Sequence, residues 1–78
     1  MPMGRVKWFD AKRHFGFVIQ DGGGEIFFHE SEVSEIDQPL GPGDRVIFRI
    51  EEGPRGPIAR RLFCARRAQE LDASRLAG

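Results

Sequence analysis

The sequence predicts an all-β domain of five short antiparallel strands closed into a small barrel. Ten glycines and five prolines among 78 residues interrupt the chain at short intervals. Between these turns, apolar residues alternate with a period of two, which is the spacing of a strand and not of a helix. The turns leave no stretch long enough for a crossover helix, and closing an antiparallel sheet into a barrel removes its exposed edges.

Five segments carry the strand pattern: residues 4–10, 15–20, 25–29, 45–52 and 58–66. The turn between the second and third segments contains Asp21-Gly22, a hairpin signal because such turns need positive φ. Residues 31–36 are predicted to form one helical turn, with Ser31 as its cap. A loop over residues 37–44 follows, since two prolines there exclude a regular helix or strand.

Strict alternation assigns the side chains of the first strand to its two faces. It places Val6 and Trp8 on one face and Lys7 and Phe9 on the other. Trp8 and Phe9 can therefore serve the same surface only if the strand twists or bulges between them.

The second and third strands carry aromatic residues on both faces. Phe15 and Phe17 share one face of the second strand, and Phe27 and His29 share one face of the third, opposite Phe28. One aromatic set fills the core, to which we assign Phe28. The other set must lie on the surface, where neighbouring aromatic side chains indicate a binding site. Flat rings next to cations suit unstacked nucleic acid.

Composition restricts the function classes. Twelve basic and twelve acidic residues cancel, so any attraction for phosphate must come from a local basic patch. Cys64 is the single cysteine and forms no intrachain disulfide, which favours a reducing compartment. The first ten residues lack the apolar run of a signal peptide, and no segment is long and apolar enough to span a bilayer. We therefore expect a cytoplasmic protein that binds no membrane.

The titratable residues form no pattern typical of catalysis or metal binding. His14 and His29 have no third ligand at metal-binding spacing. The carboxylates of residues 30–37 lack a nucleophile with a positioned base, and we interpret them as a solvated acidic loop. The sequence thus predicts no enzyme, no cofactor, no metal site and no small-molecule substrate.

An ordered set of motifs resembles bacterial cold-shock proteins. The motifs are Gly4-Arg5-Val6-Lys7-Trp8-Phe9-Asp10, Phe15-Gly16-Phe17-Val18, Asp21-Gly22-Gly23, Ile26-Phe27-Phe28-His29 and Gly53-Pro54-Arg55-Gly56-Pro57-Ile58-Ala59. Each motif is weak alone, but the ordered set is specific and covers residues 3–66. The resemblance implies a five-stranded barrel of the oligonucleotide-binding (OB) fold over residues 1–66. A C-terminal tail over residues 67–78 follows it, either frayed or as a short helix.

The resemblance also implies a function and a site. Proteins of this family bind single-stranded RNA or DNA with low sequence specificity, as RNA chaperones or transcription antiterminators in a cold-shock-type response. Base stacking is assigned by the resemblance to Trp8, Phe9, Phe15, Phe17, Phe27 and His29. It also places Lys7 and Arg13 near the nucleic-acid backbone. His14 completes the candidate site, because an imidazole can also stack on a base.

Three positions depart from the family pattern. His14 stands where the family has glycine, although histidine tolerates positive φ better than most residues. Glu30 and Gln38 stand where many members carry exposed aromatic residues, and one base–aromatic stack contributes about 1–3 kcal/mol. An alternative function therefore stays open: an OB-fold module that has weakened or lost nucleic-acid binding and contacts a protein instead. We expect a monomer, with a strand-exchanged dimer as the alternative.

Overall fold

The computed structural model describes residues 2–65, which form five strands and two short 3₁₀ turns. The strands are β1 (Met3–Asp10), β2 (Phe15–Gln20), β3 (Glu25–His29), β4 (Arg45–Gly53) and β5 (Gly56–Cys64), and the turns are η1 (Glu30–Glu32) and η2 (Glu35–Asp37). Every strand overlaps a predicted segment, and β2 and β3 match theirs at both ends. The predicted boundary at residue 66 and the tail over residues 67–78 lie outside the described residues.

The strands close into a barrel in the order β1-β2-β3-β5-β4, with β4 returning to β1. This arrangement confirms the predicted all-β barrel. Four strand pairs are antiparallel, whereas β3 and β5 run parallel and pair through Phe27 and Ile58. The sheet is therefore mixed rather than purely antiparallel, because β4 joins β1 and its hairpin partner β5 then reaches β3 in the same direction.

Alternate residues of the strands build the core. Its buried side chains are Val6, Val18, Ile26, Phe28, Val33, Leu40, Val46, Phe48, Ala59 and Leu62. Phe28 and Phe48 are the largest of those that are fully buried, which confirms the core assignment of Phe28. Close packing over Phe28 depends on Gly16, since an added Cβ there would lie 2.9 Å from Phe28 Cζ.

A β-bulge at Lys7 turns Trp8 outward. Val6 pairs with Val18 and Trp8 pairs with Phe17, so two steps along β1 match one step along β2. The extra residue reverses the alternation of side chains. Val6 is 2% exposed, whereas Trp8 is 36% exposed. The predicted shared face of Val6 and Trp8 is therefore wrong, and the bulge is the reason.

A second irregularity lies on β5 at Arg61. The register of β4 against β5 shifts between Ile47 and Arg49, where β5 holds one extra residue. Arg61 has a φ of 52°, in the left-handed region that residues other than glycine rarely adopt. This bulge explains why Ala59 and Leu62 are both buried although they are separated by an odd number of positions.

The segment after β3 forms the two turns η1 and η2 instead of the predicted single helical turn over residues 31–36. η1 begins before Ser31, so the cap position falls on His29. The His29 Nδ1 accepts a hydrogen bond from the backbone N–H of Ser31 at 3.1 Å. Ser31 is therefore the capped residue and not the cap.

Two carboxylates tie this segment to β5. Glu32 accepts hydrogen bonds from the backbone N–H of Arg61 at 3.1 Å and from the guanidinium of Arg60 at 2.9 Å. These two donors hold the pKa of Glu32 below its ordinary value of 4.5, against the opposing effect of burial. Asp37 accepts from the backbone N–H of Cys64 at 3.0 Å. The predicted solvated acidic loop is therefore wrong for Glu32 and Asp37.

Replacing Gly16 with alanine should destabilise the barrel. The new Cβ would lie 2.9 Å from Phe28 Cζ and nearer still to the carbonyl oxygen of Trp8, a backbone atom that cannot move aside. Overpacking of this kind costs about 1–3 kcal/mol, which urea unfolding at equilibrium measures. Gly41→Ala is the matched control, because the nearest atom to its Cβ would be 3.9 Å away. Equal losses in both variants would contradict the prediction.

The contacts of Glu32 should make stability depend on pH. Because its pKa is depressed in the folded state, ionised Glu32 stabilises the fold fully above pH 4.5 and loses this effect as the pH falls through the lower native pKa. Glu32→Gln should therefore lower Tm near neutral pH and approach the wild-type Tm in strong acid. Thermal melts across this range test the convergence, with Glu35→Gln, at an exposed position of η2, as the control. A Tm difference that stays constant with pH would refute the assignment.

Candidate nucleic-acid interface

Four aromatic side chains contact one another on the outside of the barrel. Trp8 lies 5.5 Å from Phe15 and 5.3 Å from Phe17, measured between ring centroids. Phe27 lies 5.5 Å from Phe15 and 5.8 Å from Phe17. These separations are typical of interacting aromatic pairs. We refer to Trp8, Phe15, Phe17 and Phe27 as the ring cluster.

The pairing of β2 with β3 creates most of this cluster. Phe17 lies opposite Phe27, and Phe15 lies opposite His29. The residues that alternate with them are buried, so the rings are on the outer face of the sheet. Each phenylalanine of the cluster is half-buried, because the rings pack on one another while part of their surface stays accessible.

His29 extends the ring cluster beside Phe15. Its side chain is exposed, yet its orientation is fixed by Ser31. The Nδ1 atom accepts from the Ser31 backbone N–H at 3.1 Å and lies 2.9 Å from the Ser31 hydroxyl oxygen. Since Nδ1 is an acceptor, the proton of the neutral ring lies on Nε2. His29 thus offers a flat ring that is held in place without being buried.

The loop over residues 11–14 lies at the edge of the ring cluster. The Asp10 carboxylate accepts hydrogen bonds from the backbone N–H groups of Lys12 and Arg13, at 2.9 and 3.2 Å. His14 ends the loop with a φ of 64°, the left-handed conformation that glycine adopts most easily. Histidine therefore serves at this turn in place of glycine, as the sequence predicts.

The basic side chains near the ring cluster differ in whether they are paired with a carboxylate. The side chain of Arg13 is 74% exposed, and its Nε lies 3.9 Å from Asp10. Lys12 is also exposed. Lys7, by contrast, forms an ion pair with Glu25. The resemblance assigned Arg13 and Lys7 to the nucleic-acid backbone, and both are exposed to solvent. Lys7 is committed to its ion pair with Glu25, whereas Arg13 makes only the longer contact with Asp10.

Arg55 and Ile58 belong to this surface, although sequence reasoning did not assign them to the site. The turn between β4 and β5 forms one wall of a groove, and the three phenylalanines of the ring cluster form the other. The parallel pairing of Phe27 with Ile58 brings the turn to this position. In the sequence, Arg55 stands between two Gly-Pro pairs, in one of the motifs that carry the family resemblance. Nothing in the local sequence, however, indicates that this turn lies beside β3.

Phe9 lies apart from the ring cluster. Its ring stacks on the core residue Phe28, with centroids 5.9 Å apart and planes inclined by 12°. The bulge turns Trp8 outward and leaves Phe9 packed against the core. Phe9 instead lines a second pocket together with His14, Glu30 and other residues.

Ion pairs outside the ring cluster account for part of the balanced net charge. Arg45 donates two hydrogen bonds to Asp21, at 2.8 and 3.0 Å, and holds the pKa of that carboxyl below its usual value. Arg60 lies between Glu32 and Glu51, which raise the pKa of its guanidinium. The zero net charge therefore does not describe the local charge around the rings.

Over residues 2–65, no three His, Cys, Asp or Glu side chains are grouped so as to hold a metal ion. The same part of the chain contains no helix long and apolar enough to cross a membrane.

The family model described as the 'cold-shock' DNA-binding domain matches residues 2–64. The chain belongs to the cold-shock domain family. It is 46% identical over 57 residues to a cold shock-like protein of Thermotoga maritima, covering 72% of this chain and 86% of that protein. It is 48% identical over 58 residues to the cold shock-like protein CspA of Vibrio cholerae, with coverage of 72% and 83%. With the major cold shock protein of Streptococcus pyogenes it shares 42% identity over 60 residues, covering 76% and 90%.

A solved structure, drosophila Unr CSD456, has the same fold as this cold-shock domain. The TM-score is 0.67, the match covers 81% of this chain and 26% of that chain, and the sequence identity is 22%. The predicted OB-type barrel and the family resemblance are thus both confirmed.

Phe9→Ala should lower stability more than Phe17→Ala does. Phe9 stacks on Phe28 in the core, so its removal leaves a cavity and costs about 2 kcal/mol, below the 3–5 kcal/mol of a fully buried phenylalanine. Phe17 contacts other surface rings, which can rearrange towards solvent. Urea unfolding of the two variants measures the difference, and a larger loss for Phe17→Ala would contradict the separation of Phe9 from the ring cluster.

Proposed function

We propose that this cold-shock domain binds single-stranded RNA or DNA by stacking unpaired bases on the ring cluster and His29. The observation that carries the proposal is the mutual contact of four accessible rings on the outer face of the barrel. Every nucleobase has a face that can stack, so such a surface accepts strands of many sequences. The membership of the chain in a DNA-binding domain family supports the same function.

The physical effect of this binding is to stabilise melted strands. Each base–aromatic stack contributes about 1–3 kcal/mol, which is available only when the base has left its duplex. A protein that collects several stacks therefore shifts RNA hairpins towards the open form without ATP and without catalysis. This is the action of an RNA chaperone or a transcription antiterminator in a cold-shock-type response.

Cations at the edge of the rings supply the attraction for phosphate. Arg13 and Lys12 lie on the loop that precedes Phe15, and Arg55 lies across the groove from the rings. Within residues 2–65, neither Lys12 nor Arg55 forms a salt bridge. Their charge is available to a nucleic-acid backbone that follows the groove.

The alternative of a protein-interaction module rests on Glu30, on the balanced charge and on the added C-terminal tail, which lies outside the described residues. Glu30 lies in the second pocket rather than on the ring cluster, and its carboxylate contacts His14 at 3.0 Å. Balanced charge arises partly from ion pairs elsewhere on the barrel. Neither Glu30 nor the balanced charge removes the stacking surface, so nucleic-acid binding is the better supported function.

Two expectations from the sequence accompany the proposal. The protein acts as a monomer, with strand exchange as the alternative, and it resides in the cytoplasm. Light scattering of the protein with and without a short oligonucleotide tests the first expectation.

Titration with oligothymidine or oligouridine should quench the fluorescence of Trp8. Phe17→Ala and Phe27→Ala should each weaken the affinity about tenfold, because each removes one stacking surface worth about 1–3 kcal/mol. Ile36→Ala is the control, since Ile36 is a 64% exposed apolar residue of η2 outside the ring cluster. Absence of quenching at low salt, with the fold intact by circular dichroism, would exclude the proposed function.

The affinity for single strands should fall as the salt concentration rises. The steepness of this fall should report how many cations contact phosphates. For single strands, the logarithm of the affinity falls by about 0.7 per neutralised phosphate for each unit in the logarithm of salt concentration. Arg13→Ala and Arg55→Ala should each reduce this slope by roughly 0.7. Arg49→Ala, at an exposed position on β4 that does not line the groove, should leave it unchanged. A slope that neither Arg13→Ala nor Arg55→Ala alters would refute the assignment of these cations.

A further inference from the structure

A second pocket opens beside the ring cluster, between the loop over residues 11–14 and the segment after β3. Its lining residues are Phe9, Ala11, His14, Glu30, Val33, Gln38, Pro39 and Leu40. The pocket adjoins the ring cluster through the chain itself, because His14 precedes Phe15 and Glu30 follows His29. A single-stranded nucleic acid that stacks one base on His29 therefore brings a neighbouring base to Glu30.

The carboxylate of Glu30 is oriented and accessible. Its Oε2 lies 3.0 Å from His14 Nδ1, and because an ionised carboxylate only accepts hydrogen bonds, the proton of this contact belongs to the imidazole. The Glu30 side chain is 31% exposed. The contact with His14 uses one of about four acceptor positions on the two oxygens, so the carboxylate can still accept hydrogen bonds from a ligand.

Gln38 presents an acceptor to the same pocket. Its side-chain amide nitrogen donates to the backbone carbonyls of Val33, at 3.0 Å, and of Glu30, at 3.4 Å. These two acceptors fix the orientation of the amide, so its carbonyl oxygen is left for other partners. Glu30 and Gln38 thus both offer oxygen acceptors to the pocket, while His14 donates to Glu30.

Much of the remaining lining of the pocket is apolar. Phe9, Val33 and Leu40 line it, and Phe9 is held in place by its stack on Phe28. The volume is about 160 Å³, several times the ~30 Å³ of one water molecule in the liquid. The pocket is therefore suited to a flat group that is apolar on its face and carries hydrogen-bond donors on its edge.

We infer that this pocket selects guanine from a bound single strand. The Watson–Crick edge of guanine carries two adjacent donors, N1–H and the N2 amino group, which match the two oxygens of a carboxylate. Uracil and thymine place carbonyl oxygens on both sides of their single N–H, and these would repel Glu30. Adenine and cytosine each place an acceptor nitrogen next to their amino group, so each offers the carboxylate one hydrogen bond instead of two. The inference rests on the proposed function, because the ring cluster delivers the strand to the pocket.

The test compares uridine heptamers that contain one guanine, moved along the strand, with the all-uridine heptamer. Affinities are measured by fluorescence anisotropy of labelled RNA. One guanine at the best position should raise the affinity of the wild-type protein about tenfold, as a bidentate base contact does. Inosine at that position should lose most of the gain, because it lacks the N2 amino group. Cytosine and adenine there should fall below guanine.

Glu30→Gln should abolish the preference for guanine while the protein still binds the all-uridine heptamer. Glu35→Gln removes the same charge from an exposed residue nearby and should retain the preference, which excludes a general electrostatic effect. Equal affinity for all heptamers, or a guanine preference that survives in Glu30→Gln, would overturn the inference and leave the proposed function intact. Failure to bind any heptamer would overturn the proposed function itself. The inosine comparison requires no variant, so the inference stays testable if Glu30→Gln folds poorly.

Discussion

The bulge at Lys7 is the constraint on which the surface of this barrel depends. Without it, Trp8 would follow Val6 into the core. With it, Trp8 lies opposite Phe17 on the outside, and Phe9 packs on Phe28. One extra residue in β1 thus divides two consecutive aromatic side chains between the ring cluster and the core. Lys7, at the bulge itself, stays exposed but forms an ion pair with Glu25.

Charged side chains fix the loops around the ring cluster. Asp10 holds the loop over residues 11–14 through backbone N–H groups, and Glu32 holds η1 against the β5 bulge at Arg61. Carboxylates that accept backbone hydrogen bonds stabilise loops without burying an unpaired charge. This use of acidic residues reconciles a balanced composition with a binding surface for a polyanion, because part of the negative charge is committed to structure.

Alternation and turn chemistry predicted the parts of the fold that obey a local rule. β2 and β3 follow period two without interruption, so their bounds and their outward set, Phe15, Phe17, Phe27 and His29, could be read from the sequence. Bulges break that rule, and the pairing of β3 with β5 depends on residues far apart in the chain. Alternation alone therefore placed Trp8 on the wrong face, although the family resemblance assigned it to base stacking, and the position of Arg55 beside the rings required the structure. The prediction of a solvated acidic loop was wrong for Glu32 because its hydrogen-bond donors come from β5, which is also far away in the chain.

The departures at Glu30 and Gln38 change the kind of recognition that this cold-shock domain offers. A stacking ring stabilises any base by a similar amount, so it adds affinity and little discrimination. An oriented carboxylate favours donors on the edge of a base and disfavours acceptors, so it adds discrimination and contributes affinity only when the matching base arrives. His14 contributes to this change from stacking to hydrogen bonding. It replaces the glycine of the family pattern at the left-handed turn and also orients Glu30. The three departures lie in one pocket, and together they convert a stacking position into a hydrogen-bonding one while the ring cluster stays complete.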